Sequence, residues 1–431
     1  AGELRHLQTG NAPFPDELAY DVILSDLGHR GPLAPGWSAP VGTPPNARPL
    51  FREFGPRVAA ASLGQVYKAT TWEGCEVAVK VRRPGVARQV ALDWMWWANL
   101  LDIGNVFLKR PDDLTLIADE VARGIFQELD YHREAQNAIL FLELHRAQPF
   151  ITAPTFLPQY TGPKGTARVL TMEWIHGRRV GEIDDKDEQL RMVNMAVEAC
   201  VSQLVGTGFV HIDPHEGNML LTEDGRLAFL DFGLMGHVPD YAMEGFAAGI
   251  QHVLAGEYLK LTQVFEDVEF IPPTGFQRVH GSPDNPGTYY FTPTTREDFA
   301  EAFERQMMNE EGGTSRFGAI FTGLVNLSHS YRLATPPYIL LFIRTFLTLE
   351  GIAAQYLPDF NTYEVGLPYA IRRCLAPTTK EGTAAFRNNL LRPDNTLRWE
   401  TFRELMEDEG AGRRRAGASA ADAPEAAVAG D

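Results

Sequence analysis

Three polar side chains in the stretch HIDPHEGNMLLTEDGRLAFLDFG, His211 to Gly233, have types and spacing that could do chemistry: Asp213, Asn218 and Asp231. An acid that orients a nucleophile, followed by an amide and a second acid that hold Mg2+ against ATP phosphates, forms one wall of a kinase-type phosphoryl-transfer site. The spacing suits that task. A loop can set Asp213 and Asn218 on one side of the phosphates while a hairpin turning at Asp224-Gly225 returns Asp231 to the other. A lone Asp-Phe-Gly would carry little weight; the D-x4-N spacing joined to it by an apolar-turn-apolar pattern carries much more. A cation must face this wall. Lys80 ends the run Val77-Ala78-Val79-Lys80, where a strand can aim an ammonium at the α- and β-phosphates.

The elements that must position these groups follow from the pattern around them. VAAASLGQVYKAT, a turn at Glu73-Gly74 and CEVAVKV read as two β-rich runs. Where a kinase would carry G-x-G-x-x-G-x-V, this chain places Ala59, Ala61, Gly64 and Val66, with Ala60 and Ser62 between, so only the third glycine is kept. By itself this is a small-residue strand edge. One hairpin before Lys80 it reads as the nucleotide loop, stiffer than a glycine loop and held further from phosphate by its methyl groups.

Two helical blocks are expected next, about Val86 to Leu108, rich in tryptophan (Trp94, Trp96, Trp97), and about Pro111 to Arg146. The second contains QELDYHREAQNA, in which Asp130 and Glu134 are helix neighbours at i,i+4. A carboxylate here must pair with Lys80 if the phosphoryl-transfer reading holds, and Glu134 and Glu128 are the candidates; the bland alternative is a solvated helix face. Thr155 to Gln159 and Arg168 to Trp174 read as strands joined by the turn Gly162 to Gly165. Glu173 to Gly177 is then an interlobe hinge whose backbone would meet adenine, with Met172 lining the pocket behind it and Glu173 and Ile175 at its edge. A helix around Glu188 to Thr207 delivers the chain to the loop of Asp213.

The flanks and composition bound the rest. The 431 residues are 44% hydrophobic and 22% charged, enough for a large core in one bilobal unit or two domains. A formal charge of −17 argues against nucleic acid, or an anionic membrane recognised by bulk charge. Three widely spaced cysteines, Cys75, Cys200 and Cys374, suggest neither a disulfide framework nor zinc. His211, Asp213 and His215 lack a third zinc ligand at sensible spacing; His211 is expected to pack and hydrogen-bond the loop. No run of about 18 apolar residues is uninterrupted, and Pro337 to Leu357, broken by Arg344 and Glu350, reads as a buried helix. Ahead of the strands, Pro15 to Leu27 is expected as a docking helix, and Gly31 to Pro49 as a linker. C-terminal helices are expected over about 239–266 and 297–375, separated by a Pro/Gly/aromatic insertion near Pro272 to Thr295. From Gly410 the Ala/Gly-rich tail reads as disordered. The chain starts at Ala1 without an apolar leader, which reads as a removed targeting segment or a fragment.

Five segments together, AAASLGQVYKA, VAVKVRRPGV, ELDYHREAQN, HIDPHEGN and LDFG, resemble the UbiB/ADCK family of atypical protein-kinase-like proteins, over roughly residues 5–375. The resemblance implies an α+β, bilobal protein-kinase-like fold with a small mixed α/β N-lobe and a mainly helical C-lobe. The segments expected are an extension and linker (1–50), N-lobe (51–175), C-lobe (176–405) and tail (406–431). It implies that Lys80 binds phosphate, Glu134 pairs with it, Glu128 and Asp130 form the family's regulatory E-x-D pair, Asp213 is the catalytic acid, and Asn218 and Asp231 bind metal. It further implies ATP and Mg2+ as cofactors, a weak atypical kinase or ATPase, and support of prenylquinone (ubiquinone, plastoquinone or tocopherol) metabolism. Lipid or prenylquinone-pathway proteins, peripheral membrane association, and an organellar setting, chloroplast (plastoglobule or thylakoid) before mitochondrion, are implied with it.

Two departures stand out. The family's K-x-G-Q signature, expected shortly before LQTGNAPFPDELAYDVILSDLG, is not in the chain, and Glu216 stands where the family's loop usually has proline. With neither A-P-E nor a Ser/Thr-rich activation loop after Gly233, an ordinary Ser/Thr kinase is disfavoured. A nucleotide-sensing pseudokinase scaffold without phosphoryl transfer is the reading from another class. Aminoglycoside-type kinases share the loop and a DFG-like acid but lack this E-x-D helix pattern.

Overall fold

The computed structural model describes residues 13–38, 40–44, 46–61, 63–108, 122–163, 167–281, 289–309, 317–334, 336–356, 361–380, 382–383, 386–387 and 392. The expected disordered tail, the stretch 111–121 of the second helical block, residues 164–166 of the Gly162–Gly165 turn and Ser62 lie outside them. The chain forms two compact units, one of residues 1–178 with 218–235, the other of 179–217 with 236–431.

In the first unit, α1 (Asp16–Asp26) precedes β1 (Glu53–Ala60), β2 (Gly64–Thr70) and β3 (Glu76–Arg82). VAAASLGQVYKAT is therefore two strands rather than one run: it folds back after Ala60, and the Ala61 N–H donates to the Gly64 carbonyl at 2.8 Å. Gly74, at φ +90°, turns the chain into β3. On β3 the period of two is clean, with Val77, Val79 and Val81 fully buried while Ala78 and Lys80 take the other face. Each valine contributes roughly 1.5–3 kcal/mol by burial, so the register that points Lys80 away from this core is firmly set. The valines pack in one core with Phe51, Tyr67 and Ile23 of α1. The helix is fixed from both ends: Asp16 accepts from Arg57 and Tyr67, each at 2.6 Å, and Asp26 pairs with Arg168 at 3.0 Å.

After α2 (Val86–Leu108), residues 122–128 are helical. The chain breaks at Leu129-Asp130 before α3 (Tyr131–Leu144). Asp130 is therefore not on the helix with Glu134: it is the extended N-cap, and its side chain accepts from the His132 N–H at 3.0 Å. β4 (Ile151–Thr152) follows. Thr155 to Gln159 is no strand, because Pro158 has no N–H to give a ladder and starts a 3-10 turn; only Phe156 bridges to Met172. β5 (Val169–Glu173) completes an antiparallel sheet in the order β1-β2-β3-β5, and β6 (Gly177–Arg178) closes the stretch. β8 (Met219–Thr222) and β9 (Leu227–Phe229) form the expected hairpin, turned by Gly225 at φ +79°. They lie in a second sheet ordered β4-β9-β8-β6.

The second unit is mainly helical. α4 (Lys186–Ser202) is capped by Asp185 and runs into a π turn, Gln203–Thr207, that ends at Gly208. Gly208 has φ +66°, and a Cβ there would lie 2.8 Å from the Val238 carbonyl, so the position needs glycine. The chain leaves through β7 (Phe209–His211) into the loop of Asp213. β10 (Met235–His237) leads to α5 (Asp240–Leu254) and α6 (Tyr258–Asp267). The Pro/Gly/aromatic insertion holds an antiparallel pair, β11 (Gln277–Gly281) with β12 (Tyr289–Pro293). α7 (Arg296–Asn309), α8 (Phe317–Ser328), α9 (Pro337–Tyr356) and α10 (Thr362–Leu375) complete the unit. Among the described residues no helix is long and apolar enough to cross a membrane.

Candidate functional site

In the first unit, β3 and α3 bring Lys80 and Glu134 together. The Lys80 Nζ lies 2.9 Å from both Glu134 carboxylate oxygens and 3.1 Å from Asp231 Oδ2. Glu134 is 3% exposed, Lys80 20% and Asp231 39%, so the cluster is closed at Glu134 and open at Asp231. Burial alone would push the Lys80 ammonium down, but the Asp231 and Glu134 carboxylates outweigh it and hold the pKa well above its ordinary value. Burial pushes the Glu134 carboxyl up, to about 7, against the opposing pull of Lys80. Of the two carboxylates proposed from sequence for Lys80, Glu134 makes the pair.

The hairpin sets the remaining groups. The Leu230 N–H donates to the Asn218 carbonyl at 2.9 Å, so Asn218 and Asp231 flank the open end of β8-β9. Asp231 Oδ1 accepts the Gly233 N–H at 2.9 Å, which leaves Oδ2 toward Lys80. Glu128 packs beside the same glycine: a Cβ on Gly233 would sit 3.4 Å from its Cγ. Asn137 Nδ2 donates to the Phe232 carbonyl at 2.8 Å, tying α3 to the Asp-Phe-Gly turn. The other E-x-D residue, Asp130, is engaged in the α3 cap.

Ala59 and Ala60 end β1, and Ala61 leads into the reversal. Gly64 has a reason other than phosphate approach or positive φ, since a Cβ there would lie 2.5 Å from the Val81 carbonyl and 2.6 Å from the Tyr131 hydroxyl. Val66 faces Lys80 in the β2-β3 register, and Leu170 does so in β3-β5. At the expected hinge, Glu173 and Trp174 spend their N–H groups on the Thr155 and Glu76 carbonyls. Met172 is half-buried and lines a small cavity with Leu170, Phe156 and Phe232; Ile175 follows on the hinge, also half-buried.

In the second unit, the loop of Asp213 is wired to α4 and α9. The His211 N–H donates to Gln203 Oε1 at 2.9 Å, and the Asp213 N–H lies 3.2 Å from His211 Nδ1, so buried His211 holds the loop as expected. His215 Nδ1 accepts the Gly217 N–H at 3.0 Å. The Thr345 hydroxyl lies 3.2 and 3.3 Å from the His211 and Ile212 carbonyls. Arg344 Nη2 lies 3.0 Å from Asp213 Oδ2.

Comparison with known proteins agrees with this fold. Residues 41–265 match the model of the ABC1 atypical kinase-like domain, and residues 302–361 that of the UbiB helical domain. The chain belongs to this family. A chloroplastic aarF domain-containing protein kinase of Arabidopsis thaliana is 31% identical over 94% of this chain and 53% of its own length. The chloroplastic Arabidopsis protein ACTIVITY OF BC1 COMPLEX KINASE 3 is 32% identical over 94% and 53%. An uncharacterised Synechocystis protein is 32% identical over 94% and 55%. The chain thus spans about half the length of these relatives, which are chloroplastic and cyanobacterial proteins. The Mycobacterium tuberculosis protein Rv3197, solved in complex with erythromycin, superposes with a TM-score of 0.51 at 20% identity over 81% of this chain and 84% of that one, a likeness of fold.

For an ABC1 atypical kinase-like protein the fold is kinase-like, with sheets in its N-terminal region and helices in its C-terminal region, and the family implies nucleotide use. Two carboxylates converge on one ammonium here, leaving excess negative charge at the exposed Asp231 edge beside Asn218. That oxygen-rich donor set fits a hard divalent cation such as Mg2+, which takes one or two carboxylates with phosphate oxygens. Sequence reasoning missed two residues. The Tyr131 ring sits 5.2 Å from Lys80 Nζ, and its buried hydroxyl has no hydrogen-bond partner among the described residues. Its place between Asp130 and Glu134 was the available signal. Arg344 was legible only as a charge inside an apolar helix.

Proposed function

We propose that the protein binds Mg-ATP and slowly transfers or hydrolyses its terminal phosphate, in support of prenylquinone metabolism in a plastid or cyanobacterial setting. The observation that carries this reading is the Lys80 ammonium held at 2.9 Å by Glu134 and 3.1 Å by Asp231. Lys80, oriented by Glu134, binds the α- and β-phosphates. Asn218 and Asp231 hold Mg2+, which supplies charge neutralisation at the phosphates. Asp213 positions water or an acceptor hydroxyl. The Ala59–Val66 reversal covers the nucleotide, and the Glu173–Ile175 backbone with Met172 receives the base. Glu128, beside Gly233, restrains the Asp231 turn. The quinone link and the plastid setting rest on the family resemblance and on the chloroplastic and cyanobacterial relatives.

One observation favours a second reading, a nucleotide-sensing scaffold: Arg344 already occupies an Asp213 oxygen. Two measurements separate them. Mg-ATP at 100 times its Kd should stabilise the folded protein by about 2.7 kcal/mol; absence of any ATP-dependent thermal shift in wild type counts against both readings. Phosphate release that falls at least tenfold in Asp213→Asn supports the enzyme, whereas equal background release leaves the scaffold. Quinone profiling of a strain lacking the protein tests the pathway: an unaltered prenylquinone pool removes that part of the proposal.

A further inference from the structure

The second unit contains an apolar cavity, walled by α5, α6, α8, α9 and α10, that no part of the phosphoryl-transfer reading uses. It opens to the surface and has a volume of about 90 Å³, several times the roughly 10–15 Å³ one water requires. Of its 15 lining residues only Tyr363 carries a polar side-chain atom, so water there would lack the partners that hold buried water. Packed interiors keep few voids above water size. Two glycines on α5 sharpen the point. At Gly245 a Cβ would meet Val268 Cγ1 at 2.4 Å, so packing demands glycine. At Gly249, on the cavity wall, a Cβ would meet Val264 Cγ1 at 3.5 Å and Leu261 Cδ1 at 3.8 Å, ordinary contacts. Alanine would fit that helix interior and be favoured by propensity, yet the chain keeps the wall thin. Phe246, Phe321, Leu324 and Ile343 are only half-buried and mark where the cavity reaches the surface.

We propose that this cavity binds the end of an apolar hydrocarbon chain, whose polar head stays outside, and that α9 reports its occupancy to the loop of Asp213. A wall without a charged or amide side chain can take hydrocarbon but cannot anchor a head group. The second clause follows from α9, which lines the cavity with Ile339 and Ile343 while the next two residues, Arg344 and Thr345, hold Asp213 and the His211 and Ile212 carbonyls. A chain that shifts α9 shifts those contacts. Chain binding stands by itself; its effect on turnover rests on the proposed enzyme.

The test uses the whole chain and the fluorescent fatty acid cis-parinaric acid, with geranylgeraniol and palmitate as competitors. Saturable binding is expected in wild type and should weaken at least tenfold in Gly249→Leu and in Val253→Phe, each checked for an unchanged or raised melting temperature. Displacement by geranylgeraniol alone assigns an isoprenoid chain, and by palmitate alone an acyl chain; either supports the site. Absence of saturable binding, failure of both competitors, or undiminished binding in both folded variants overturns it. With the chain bound, phosphate release should change at least twofold in wild type and stay unchanged in Gly249→Leu. Binding without a change in release overturns the α9 clause, whereas loss of release with and without the chain overturns the enzyme reading and leaves the cavity standing.

Discussion

Two of the ion pairs in this molecule, Lys80 with Glu134 and Arg344 with Asp213, sit in opposite surroundings. Glu134 and Lys80 are 3% and 20% exposed and project from a helix and a central strand; Asp213 and Arg344 are 26% and 51% exposed, with the acid on a loop. Breaking a buried pair leaves an uncompensated charge in low dielectric, a cost of about 3–5 kcal/mol, whereas an exposed pair contributes about 0–1 kcal/mol. The difference teaches that the two ion pairs serve different ends. The first fixes a cation in place; the second is weak enough to be exchanged.

The largest effect that could break this comparison is Lys80→Met. It leaves Glu134 and Asp231 facing each other without their ammonium, and unfolding by denaturant at pH 8 should show a loss of about 3–5 kcal/mol, together with loss of the Mg-ATP thermal shift. The loss should shrink at pH 6, because Glu134 can take a proton. A loss below about 1 kcal/mol at both pH values would place the Lys80 pair with the exposed class. Next in size is Gly64→Ala, whose methyl would press on the Val81 carbonyl and the Tyr131 hydroxyl; overpacking of this kind costs about 1–3 kcal/mol. An unchanged midpoint would show that the loop yields.

Wild type should also show a pH signature. The Glu134 carboxyl sits at about 7 in the folded protein against an ordinary value of 4.5. The folded state thus holds this proton more tightly than the unfolded chain does. The contribution to stability is full below about pH 4.5 and is lost as pH rises through about 7. Nucleotide affinity should run the other way, since protonation removes the pair that orients Lys80. Between pH 8 and 6 the Mg-ATP thermal shift should fall in wild type, and Glu134→Gln should flatten that profile. A wild-type profile flat over the same range would mean that another group orients Lys80.

Much of this was readable from sequence, for identifiable reasons. Lys80 was legible because β3 alternates strictly, with Val77, Val79 and Val81 on one face. Glu134 was legible because a lysine of this kind needs a carboxylate and the segment around the E-x-D pair offered few. The β8-β9 hairpin announced itself by Asp224-Gly225. What failed was local geometry set by distant packing. The alanine run folded into two strands, and Gly64, where the second begins, has no room for a Cβ against the Val81 carbonyl and the Tyr131 hydroxyl, neighbours far apart in the chain. Asp130 left the helix to cap it. Pro158 removed a strand that composition alone allowed, and the β11-β12 pair hid in a stretch whose prolines and glycines suggested only irregular chain. Arg344 could not be assigned at all, because nothing in an apolar helix says which loop its one arginine will meet.

Arg344→Gln gives the smallest expected change in stability and the sharpest reading of the comparison. With half of its side chain in solvent, Arg344 should contribute no more than about 1 kcal/mol to folding. The substitution frees an Asp213 oxygen while keeping a side chain able to hydrogen-bond, so its effect belongs in the rate rather than in the fold. If Arg344 latches Asp213 away from its acceptor, phosphate release should rise several-fold with Mg-ATP affinity unchanged, because Lys80, Glu134 and Asp231 are untouched. If Arg344 instead orients Asp213 for the reaction, release should fall by a similar factor, and Arg344→Lys should recover part of it. Equal release in all three proteins, beside a folded and nucleotide-bound wild type, would mean that Asp213 takes no part in turnover, as the scaffold reading requires.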